Sequence, residues 1–337
     1  MPKLVATRIQ CKYLITTKLS GIIDCLSQHV HHVGMSNSTA VNPGATSGAS
    51  IADFIQLLKP ITWFPPMWAL MCGLVSGGMT PFQAPWLFLA GILLTGPLVC
   101  GASQIINDWH DREVDALNEP DRPIPSGRVS ETAALRFAFV WCILAQTWSF
   151  MLGPWVAGAT AVGLLFAWAY SAPPLRLKQN GWWGNLSVAV SYEGLAWITG
   201  AAIVVGGQLP STSILLVAAL YSLGAHGIMT LNDFKAIDGD IAIGIRTLPV
   251  QLGPEYAAKL ACVVMITPQL GVLWLLINWG HSVAASLIAF LIVGQLMAML
   301  RFLNNPRQLA PWYNGVGVTQ YVAGMMVSAL AMGGHFG

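Results

Sequence analysis

The chain has 337 residues, of which 55% are hydrophobic and only 9% are charged. An ordinary soluble domain carries about 25% charged residues, so this composition excludes that class and indicates a polytopic membrane protein. The formal net charge of +2 gives no reason to expect a nucleic-acid partner. The six cysteines show no CxxC spacing, which argues against a zinc site or a disulfide framework.

The first 50 residues differ from the rest of the chain. Basic residues are scattered as far as Lys18, and the stretch from Ser36 to Ser50 is rich in small and polar residues without periodicity. We see no compact apolar run followed by a small-residue cleavage site, the pattern of a secretory signal. We therefore expect residues 1–50 to form a disordered N-terminal extension, with Met35 as a candidate start, and residues 51–337 to form the membrane domain.

Nine segments after residue 60 are apolar enough to cross a bilayer, which takes about 20 residues of helix. Only Gly153 and Pro154 separate the third segment from the fourth. We therefore predict an all-α, polytopic membrane protein with nine transmembrane helices around a central cavity. The predicted spans are residues 61–79, 86–106, 133–152, 155–170, 186–206, 214–231, 257–277, 283–300 and 316–332.

Basic residues mark one side of the predicted bundle. Lys and Arg precede the first span and occur in the connections after the second, fourth, sixth and eighth spans, whereas the other four connections contain none. Cytoplasmic loops carry an excess of Lys and Arg. We therefore predict a multi-pass protein of the inner membrane with a cytoplasmic N-terminus and a periplasmic C-terminus.

Two acidic clusters lie at the cytoplasmic ends of predicted spans, residues 107–115 (NDWHDREVD) and residues 232–240 (NDFKAIDGD). Carboxylates are costly near a bilayer, and Mg²⁺ typically takes one or two carboxylates together with substrate phosphate oxygens. The clusters therefore indicate a divalent cation that holds an anion such as a diphosphate. A helix end decorated with interfacial charge would explain one acid, but poorly explains four acids among the nine residues of the first cluster.

Helical spacing selects ligands in the first cluster. Asn107, Asp111 and Asp115 follow one another at intervals of four, so on a continuous helix they share one face within about 80°. We predict that all three bind the metal and take part in catalysis.

The second cluster leaves its ligands open. Asp233 and Asp240 share a face if the segment is helical, whereas Asp238 lies about 140° from Asp233 unless Gly239 breaks the helix. One of these three acids could instead be a solvated loop residue. We predict metal ligands among Asp233, Asp238 and Asp240, with Asp233 and Asp240 as catalytic residues.

Basic and aromatic residues near the clusters complete the predicted site. Cations stabilise the charge that builds on a departing diphosphate, and aromatic faces can stabilise an allylic carbocation. The bias toward positive cytoplasmic loops would by itself explain any single basic residue. Together with an apolar cavity, these residues fit an isoprenyl diphosphate. The candidates are Arg122, Arg128, Lys235 and Arg246 for the anion, and Tyr170, Trp182, Trp183 and Tyr192 for the cation.

The first cluster has the NxxxDxxxD pattern, and the run NDWHDREVDALNEPDRPIPSGRVS resembles the first loop of the UbiA superfamily of intramembrane prenyltransferases nearly throughout. The resemblance covers about residues 52–334. It implies a UbiA-type prenyltransferase domain with nine transmembrane helices, a central cavity open laterally to lipid, Mg²⁺ as cofactor, and cytoplasmic active-site loops.

Within that superfamily, four stretches resemble the (bacterio)chlorophyll synthase branch, and most closely its bacteriochlorophyll members. They are LLKPITWFPPMWA (57–69), AYSAPPLRLKQNGWWGN (169–185), LNDFKAIDGD (231–240) and APWYNGVG (310–317). The second motif departs from the family's DxxxD, because Ala236 stands four residues before Asp240 and the acid is at Asp233 instead.

This resemblance implies transfer of a geranylgeranyl or phytyl group from its diphosphate to the C17 propionate of bacteriochlorophyllide. It also implies an inner or intracytoplasmic photosynthetic membrane, membrane lipid around the protein, and pigment-assembly proteins as candidate partners. A propionate is already ionised at neutral pH, so no strong base is required. Arg176 and Lys178 are the candidates for binding this second anion.

Two residues inside predicted spans add substrate-binding candidates. Glu193 could bond a tetrapyrrole carbonyl, or stay neutral against a neighbouring helix, and His226 could ligate the macrocycle's magnesium or make a helix-packing hydrogen bond. Ionisable groups within membrane spans are often functional. For both Glu193 and His226, a substrate-binding role and a helix-packing role therefore remain open.

Three other functions remain open at this stage. A chlorophyll synthase would use the same chemistry, and a UbiA-type enzyme could act instead on a quinone precursor or haem. A transporter would use acids as ion ligands, but transporter sites usually lie near the membrane midplane in broken helices. The sequence does not distinguish geranylgeranyl, phytyl and farnesyl donors.

Overall fold

The structure is a computed structural model that describes residues 49–336. The predicted N-terminal extension therefore lies almost entirely outside the described residues, as does the candidate start at Met35.

Twelve α-helices make up the described residues, if a helix with an internal π-helical turn is counted once, and no β-strand occurs among them. Two short 3₁₀ turns, Pro60–Thr62 and Leu177–Gln179, lie between helices. The helices are α1 (Ile51–Leu58), α2 (Phe64–Ser76), α3 (Pro85–Asn118), α4 (Glu131–Leu152), α5 (Pro154–Ser171), α6 (Gly181–Val204), α7 (Thr212–Asp233), α8 (Ile237–Ile243), α9 (Leu248–Leu252), α10 (Pro254–Asn278), α11 (Ser282–Phe302) and α12 (Pro306–Met332).

Each of the nine predicted spans coincides with one helix of residues 49–336. Seven of these helices are long and apolar enough to cross a membrane, namely α3, α4, α6, α7, α10, α11 and α12. The other two are α2, a shorter apolar helix of 13 residues, and α5, with 18 residues. The prediction of an all-α polytopic membrane protein is confirmed.

Several helices extend further than the apolar pattern indicates. The second span was predicted to end at residue 106, but α3 continues to Asn118 and carries the whole first acidic cluster on helix. The ninth was predicted from residue 316, whereas α12 begins at Pro306.

Helices α3, α5, α10 and α12 all begin with proline, which fits the first helical position because that N–H has no partner inside the helix.

Glycines bring α2 and α6 into close contact. A Cβ atom on Gly73 would lie 2.0 Å from the carbonyl oxygen of Trp197, and one on Gly200 would lie 2.2 Å from that of Leu70. The Trp197 indole donates a 3.1 Å hydrogen bond to the Ser76 hydroxyl. Small residues allow membrane helices to approach in this way. Helix α6 contributes several residues to the wall of the central cavity, and α2 contributes Pro66.

Helices α7, α10, α11 and α12 form a second packed group in which several buried polar side chains pair between helices, although Tyr313 Oη and Gln320 Oε1 of α12 have no partner among the described residues. The Tyr221 and Ser328 hydroxyls lie 2.9 Å apart, and Tyr321 donates to the Tyr221 carbonyl at 2.5 Å. Gln269 donates to Gln295 at 2.6 Å. Such bonds between helices satisfy groups that would otherwise be costly in an apolar interior.

Candidate functional site

A cavity of about 430 Å³ lies among α2, α3, α5, α6 and α7. Its deeper wall contains apolar side chains such as Leu94, Val99 and Leu195, and its polar end contains Asn107 and Asp233. The first residue of one predicted motif and an acid of the other therefore share one chamber. The remaining polar lining at that end comes from Tyr170, Asn185, Asn232 and Lys235.

In the first motif, positive side chains from other segments bind the aspartates. Lys178 forms an ion pair with Asp111, and Arg176 Nη2 lies 3.6 Å from the same carboxylate. Arg122 Nη1 lies 2.6 Å from Asp115 Oδ2. Each predicted aspartate of this motif is therefore compensated by at least one cation.

Asp108, between these ligands in sequence, belongs to the same charge network. Its Oδ1 accepts from Lys59 Nζ at 2.5 Å and lies 3.4 Å from Arg122 Nη1. The carboxylates of Asp108, Glu119 and Asp115 outweigh the effect of burial on Arg122 and raise its pKa. Arg122 therefore clamps the end of α3 to the loop that follows it.

Lys178 is almost covered, with 8% of its side chain exposed. Burial lowers the pKa of Lys178, whereas the charge of Asp111 acts in the opposite direction. A buried ammonium is stabilised by a nearby carboxylate. If another cation bound the Asp111 carboxylate, Lys178 would lose its partner. Binding of a new anion next to Lys178 would then be favoured.

Asp233 and Asp240 of the second motif lack such ion pairs within residues 49–336. The Asp233 carboxylate accepts from the Asn185 amide at 3.0 Å, and Asp240 accepts from the Thr247 hydroxyl at 3.0 Å. Neither aspartate forms an ion pair with a described residue, and burial raises the pKa of Asp240. Two partly or fully buried carboxylates with neutral partners are a favourable place for a bound cation.

Two of the predicted residues lie in other surroundings. Asp238 is exposed and pairs with Arg307 Nη2 at 2.5 Å. Arg128 pairs with Asp53, which ties α1 to the loop between α3 and α4. Neither Asp238 nor Arg128 lines the cavity.

Arg246 connects two loops through its backbone. Its N–H donates to the Gln179 carbonyl at 3.0 Å, and its own carbonyl accepts from Gly181 at 2.8 Å. Its side chain is exposed. The loop that follows the second motif is therefore attached to the loop that carries Arg176 and Lys178.

Of the four substrate-binding candidates predicted within or next to membrane spans, two line the cavity and two do not. Tyr170 and Tyr192 line the cavity. Glu193 and His226 are buried outside its lining, and His226 Nε2 lies 3.2 Å from the Trp182 carbonyl. One carboxylate oxygen of Glu193 has no hydrogen-bond partner among the described residues.

Sequence reasoning missed two residues that contact the motifs. Asn185 is the last residue of the stretch 169–185 and has no predicted role, yet its amide donates to the Asp233 carboxylate. Lys59 was used only for topology, yet its ammonium binds Asp108. An Asn directly before a predicted span, here the one that begins at residue 186, is a weak signal of this role, and nothing in the sequence indicates which acid Lys59 meets.

The donor set fits Mg²⁺. Carboxylate and amide oxygens are its usual protein ligands, and Asp233 and Asp240 are carboxylates without a described cation. No three acidic, His or Cys side chains converge as a preformed metal site among residues 49–336.

Comparisons with known proteins identify the family of the chain. The model of the UbiA prenyltransferase family matches residues 62–315. The bacteriochlorophyll synthase 33 kDa chain of Cereibacter sphaeroides is 56% identical over 280 residues, covering 83% of this chain and 92% of that protein. The chloroplastic chlorophyll synthase of Arabidopsis thaliana is more distant, at 38% identity over 291 residues, with 82% and 73% covered.

The fold is also similar to a solved structure, a UbiA homolog from Archaeoglobus fulgidus bound to GPP and Mg²⁺. The TM-score is 0.59 at 20% identity, with 81% of this chain and 99% of that chain covered. The family match spans most of the chain, and the resemblance to the bacteriochlorophyll branch is confirmed by the higher identity to its member. The chain belongs to the UbiA prenyltransferase family, and it is a multi-pass membrane prenyltransferase.

Proposed function

We propose that the chain is a bacteriochlorophyll synthase. It transfers a geranylgeranyl or phytyl group from its diphosphate to the C17 propionate of bacteriochlorophyllide and releases diphosphate. The observation that carries this proposal is the single cavity that is apolar inside and has Asn107 and Asp233, one residue from each motif, at its polar end. The relative with 56% identity carries this activity in its name.

The donor diphosphate binds at the polar end, with its chain in the apolar part. Asn107, Asp111, Asp115, Asp233 and Asp240 are the residues that would hold Mg²⁺. When bound, Mg²⁺ neutralises charge on the diphosphate and makes it a better leaving group. Asp238 is the least suited of the predicted ligands, because it is exposed and paired with Arg307.

Positive side chains stabilise the leaving group. Lys235 lines the cavity beside Asp233, and no described carboxylate pairs with it. Lys178 and Arg122 are held at the first motif by Asp111 and Asp115. As charge develops on the departing diphosphate, these cations gain interaction energy that the ground state lacks.

The acceptor arrives already ionised, so its carboxylate oxygen can attack C1 of the prenyl group without a general base. Arg176 and Lys178 lie on the loop between α5 and α6, where they can bind this second anion. The attachment of that loop to the Arg246 backbone supports a fixed position of the loop relative to the segment that follows the second motif.

Orientation follows from charge. We infer that both motifs face the cytoplasm of an inner or intracytoplasmic photosynthetic membrane, because the basic connections all lie on their side of the bundle. The C-terminus is then periplasmic. Pigment-assembly proteins remain candidate partners on the strength of the substrate alone.

The deciding experiment is an assay of isolated membranes with Mg²⁺, one allylic diphosphate and either bacteriochlorophyllide or chlorophyllide, with the ester identified by mass. We expect ester with bacteriochlorophyllide, and faster turnover than with chlorophyllide. Faster turnover of chlorophyllide would make the chain a chlorophyll synthase, and activity confined to a quinone precursor or haem would overturn both assignments. Full prenyl transfer by Asp111→Ala would contradict the role of the first motif.

A further inference from the structure

Two π-helical turns meet at the cavity wall. One, Leu94–Cys100, interrupts α3 and contains Pro97, and the other, Val190–Leu195, interrupts α6. Cys100 and Tyr192 belong to these turns and both line the cavity. Their side chains meet, with the Cys100 sulfur 3.3 Å from the Tyr192 hydroxyl. Because π-helical turns are rare and are frequently found at functional sites, this junction points to a role beyond packing.

Gln104 completes the junction. Its amide donates to the Tyr192 hydroxyl at 3.2 Å, and the Cys100 sulfur lies 3.5 Å from the Thr62 carbonyl oxygen. One donor order satisfies every group: the Gln104 amide donates to the Tyr192 oxygen, the Tyr192 hydroxyl donates to sulfur, and the thiol donates to Thr62. We call Cys100, Gln104 and Tyr192 the polar collar. It fixes the Tyr192 hydroxyl from two sides.

The polar collar lies just inside the diphosphate end. Gln104 is three residues before Asn107 on α3, which is about 4.5 Å along a helix axis, and Cys100 is one further turn inside. Apolar residues such as Leu94 and Leu195 line the cavity beyond it. A donor with its diphosphate at Asn107 therefore has its first isoprene unit at the collar and its later units in the apolar part.

We propose that Tyr192 contacts the allylic unit of the donor and that Gln104 and Cys100 are positioning residues that hold it there. The proposal rests on the proposed function. In the step concerned, the C1–O bond of the donor breaks and its electron pair leaves with the diphosphate. The acceptor carboxylate then gives an electron pair to C1 and forms the ester, whereas attack by water forms a prenyl alcohol and releases a proton.

A fixed tyrosine has a physical advantage in this step. Aromatic faces attract cations, and groups that are already oriented stabilise a developing charge without reorganisation during the reaction. If Tyr192 lost its two partners, the ring would keep its apolar area but not its position. The expected defect is therefore in turnover rather than in donor binding.

The experiment compares Tyr192→Phe, Gln104→Leu and the double variant in purified full-length protein with Mg²⁺. Diphosphate release is measured with dimethylallyl and geranylgeranyl diphosphate, with and without bacteriochlorophyllide. Gln146→Leu is the matched control, because Gln146 donates to Ser149 and to the Ala157 carbonyl of α5, away from the cavity. Gln104→Asn keeps the amide if Gln104→Leu does not fold.

We expect each single variant to lower kcat about tenfold, the size of the loss of one well-placed hydrogen bond. The loss should be similar for both donors, the donor KM should change less than twofold, and the double variant should be no worse than the poorer single variant. Wild-type kcat in Tyr192→Phe, or a loss seen only with the long donor, would overturn the proposal. Diphosphate release without acceptor still reports on the collar if bacteriochlorophyllide proves to be the wrong substrate, so the two failures can be told apart.

Discussion

The two acidic motifs reach the same cavity in opposite electrostatic states. In the first, Asp111 and Asp115 pair with Lys178 and Arg122. In the second, Asp233 and Asp240 accept hydrogen bonds only from neutral groups among the described residues. An uncompensated buried carboxylate favours a cation strongly, whereas a compensated one must first release its partner. We therefore expect Asp233 and Asp240 of the second motif to provide most of the affinity for the metal ion. At the first motif, the metal ion would replace the protein cations that pair with Asp111 and Asp115.

The largest expected effect tests that difference directly. Asp233→Asn removes a carboxylate that forms no ion pair with a described residue and keeps a side chain of similar size. We expect turnover of the prenyl diphosphate to fall at least about 100-fold, comparable to the loss of one electrostatic stabiliser in an active site. The measurement is the initial rate of ester formation across a Mg²⁺ titration.

The same titration supplies the diagnostic. Excess Mg²⁺ should recover part of the activity of Asp233→Asn if this carboxylate supplies metal affinity. A variant with wild-type half-saturation by Mg²⁺ would show that Asp233 is not a ligand.

A smaller effect on turnover is expected at the first motif, where the Lys178 ammonium competes with Mg²⁺ for the Asp111 carboxylate. Lys178→Met removes the ammonium bound to Asp111 but keeps a long apolar side chain. We expect kcat to fall about tenfold, because a leaving-group cation is lost. The Mg²⁺ concentration at half-saturation should fall as well, because Asp111 then keeps only Arg176, at 3.6 Å, as a competing cation.

Lys259→Met is the matched control for this experiment. Lys259 lies over the Tyr256 ring at 5.5 Å and does not line the cavity. Weaker Mg²⁺ binding by Lys178→Met would contradict the exchange of cations at the first motif.

The acid side of the pH profile should respond to Thr247. Burial raises the pKa of Asp240, and the Thr247 hydrogen bond opposes this shift by stabilising the carboxylate. Metal binding needs the ionised form, so Mg²⁺ affinity should fall as the pH drops through this raised pKa.

Thr247→Val removes the opposing hydrogen bond, and the acid limb should therefore move to higher pH. A hydrogen bond to a charged group contributes about 1.5–3 kcal/mol, so the limb should move by about one pH unit or more. The measurement is half-saturation by Mg²⁺ between pH 5.5 and 8. An unchanged limb would show that Asp240 does not bind the metal.

Much of this comparison could be predicted from the sequence. The apolar segments indicated the nine helices α2 to α7 and α10 to α12, and the spacing of Asn107, Asp111 and Asp115 placed them on one face of a helix that does continue through the motif. The apolar pattern did not predict the end of α3 or the start of α12, because both helices continue through polar residues beyond the apolar stretch. The partners of each carboxylate were not predictable, since Lys59, Lys178 and Asn185 come from segments whose approach only the folded chain determines.

The ambiguity of the second motif shows the same limit. Helical angles alone left three acids open, and the structure separates them by surroundings: Asp233 lines the cavity, Asp240 is buried against Thr247, and Asp238 is exposed beside Arg307. Whether a side chain faces the chamber depends on the turn between α7 and α8, which no periodicity describes.

The smallest expected effect follows from this separation. Asp238 and Arg307 form an exposed ion pair, and such pairs contribute about 0–1 kcal/mol. Asp238→Asn should therefore keep activity within about twofold of wild type and leave the Mg²⁺ titration unchanged. It serves as the matched control for Asp233→Asn, since both replace one acid of the same motif by its amide. A loss in Asp238→Asn equal to that in Asp233→Asn would mean that α8 turns inward when substrate binds, and that the second motif uses all three of its carboxylates.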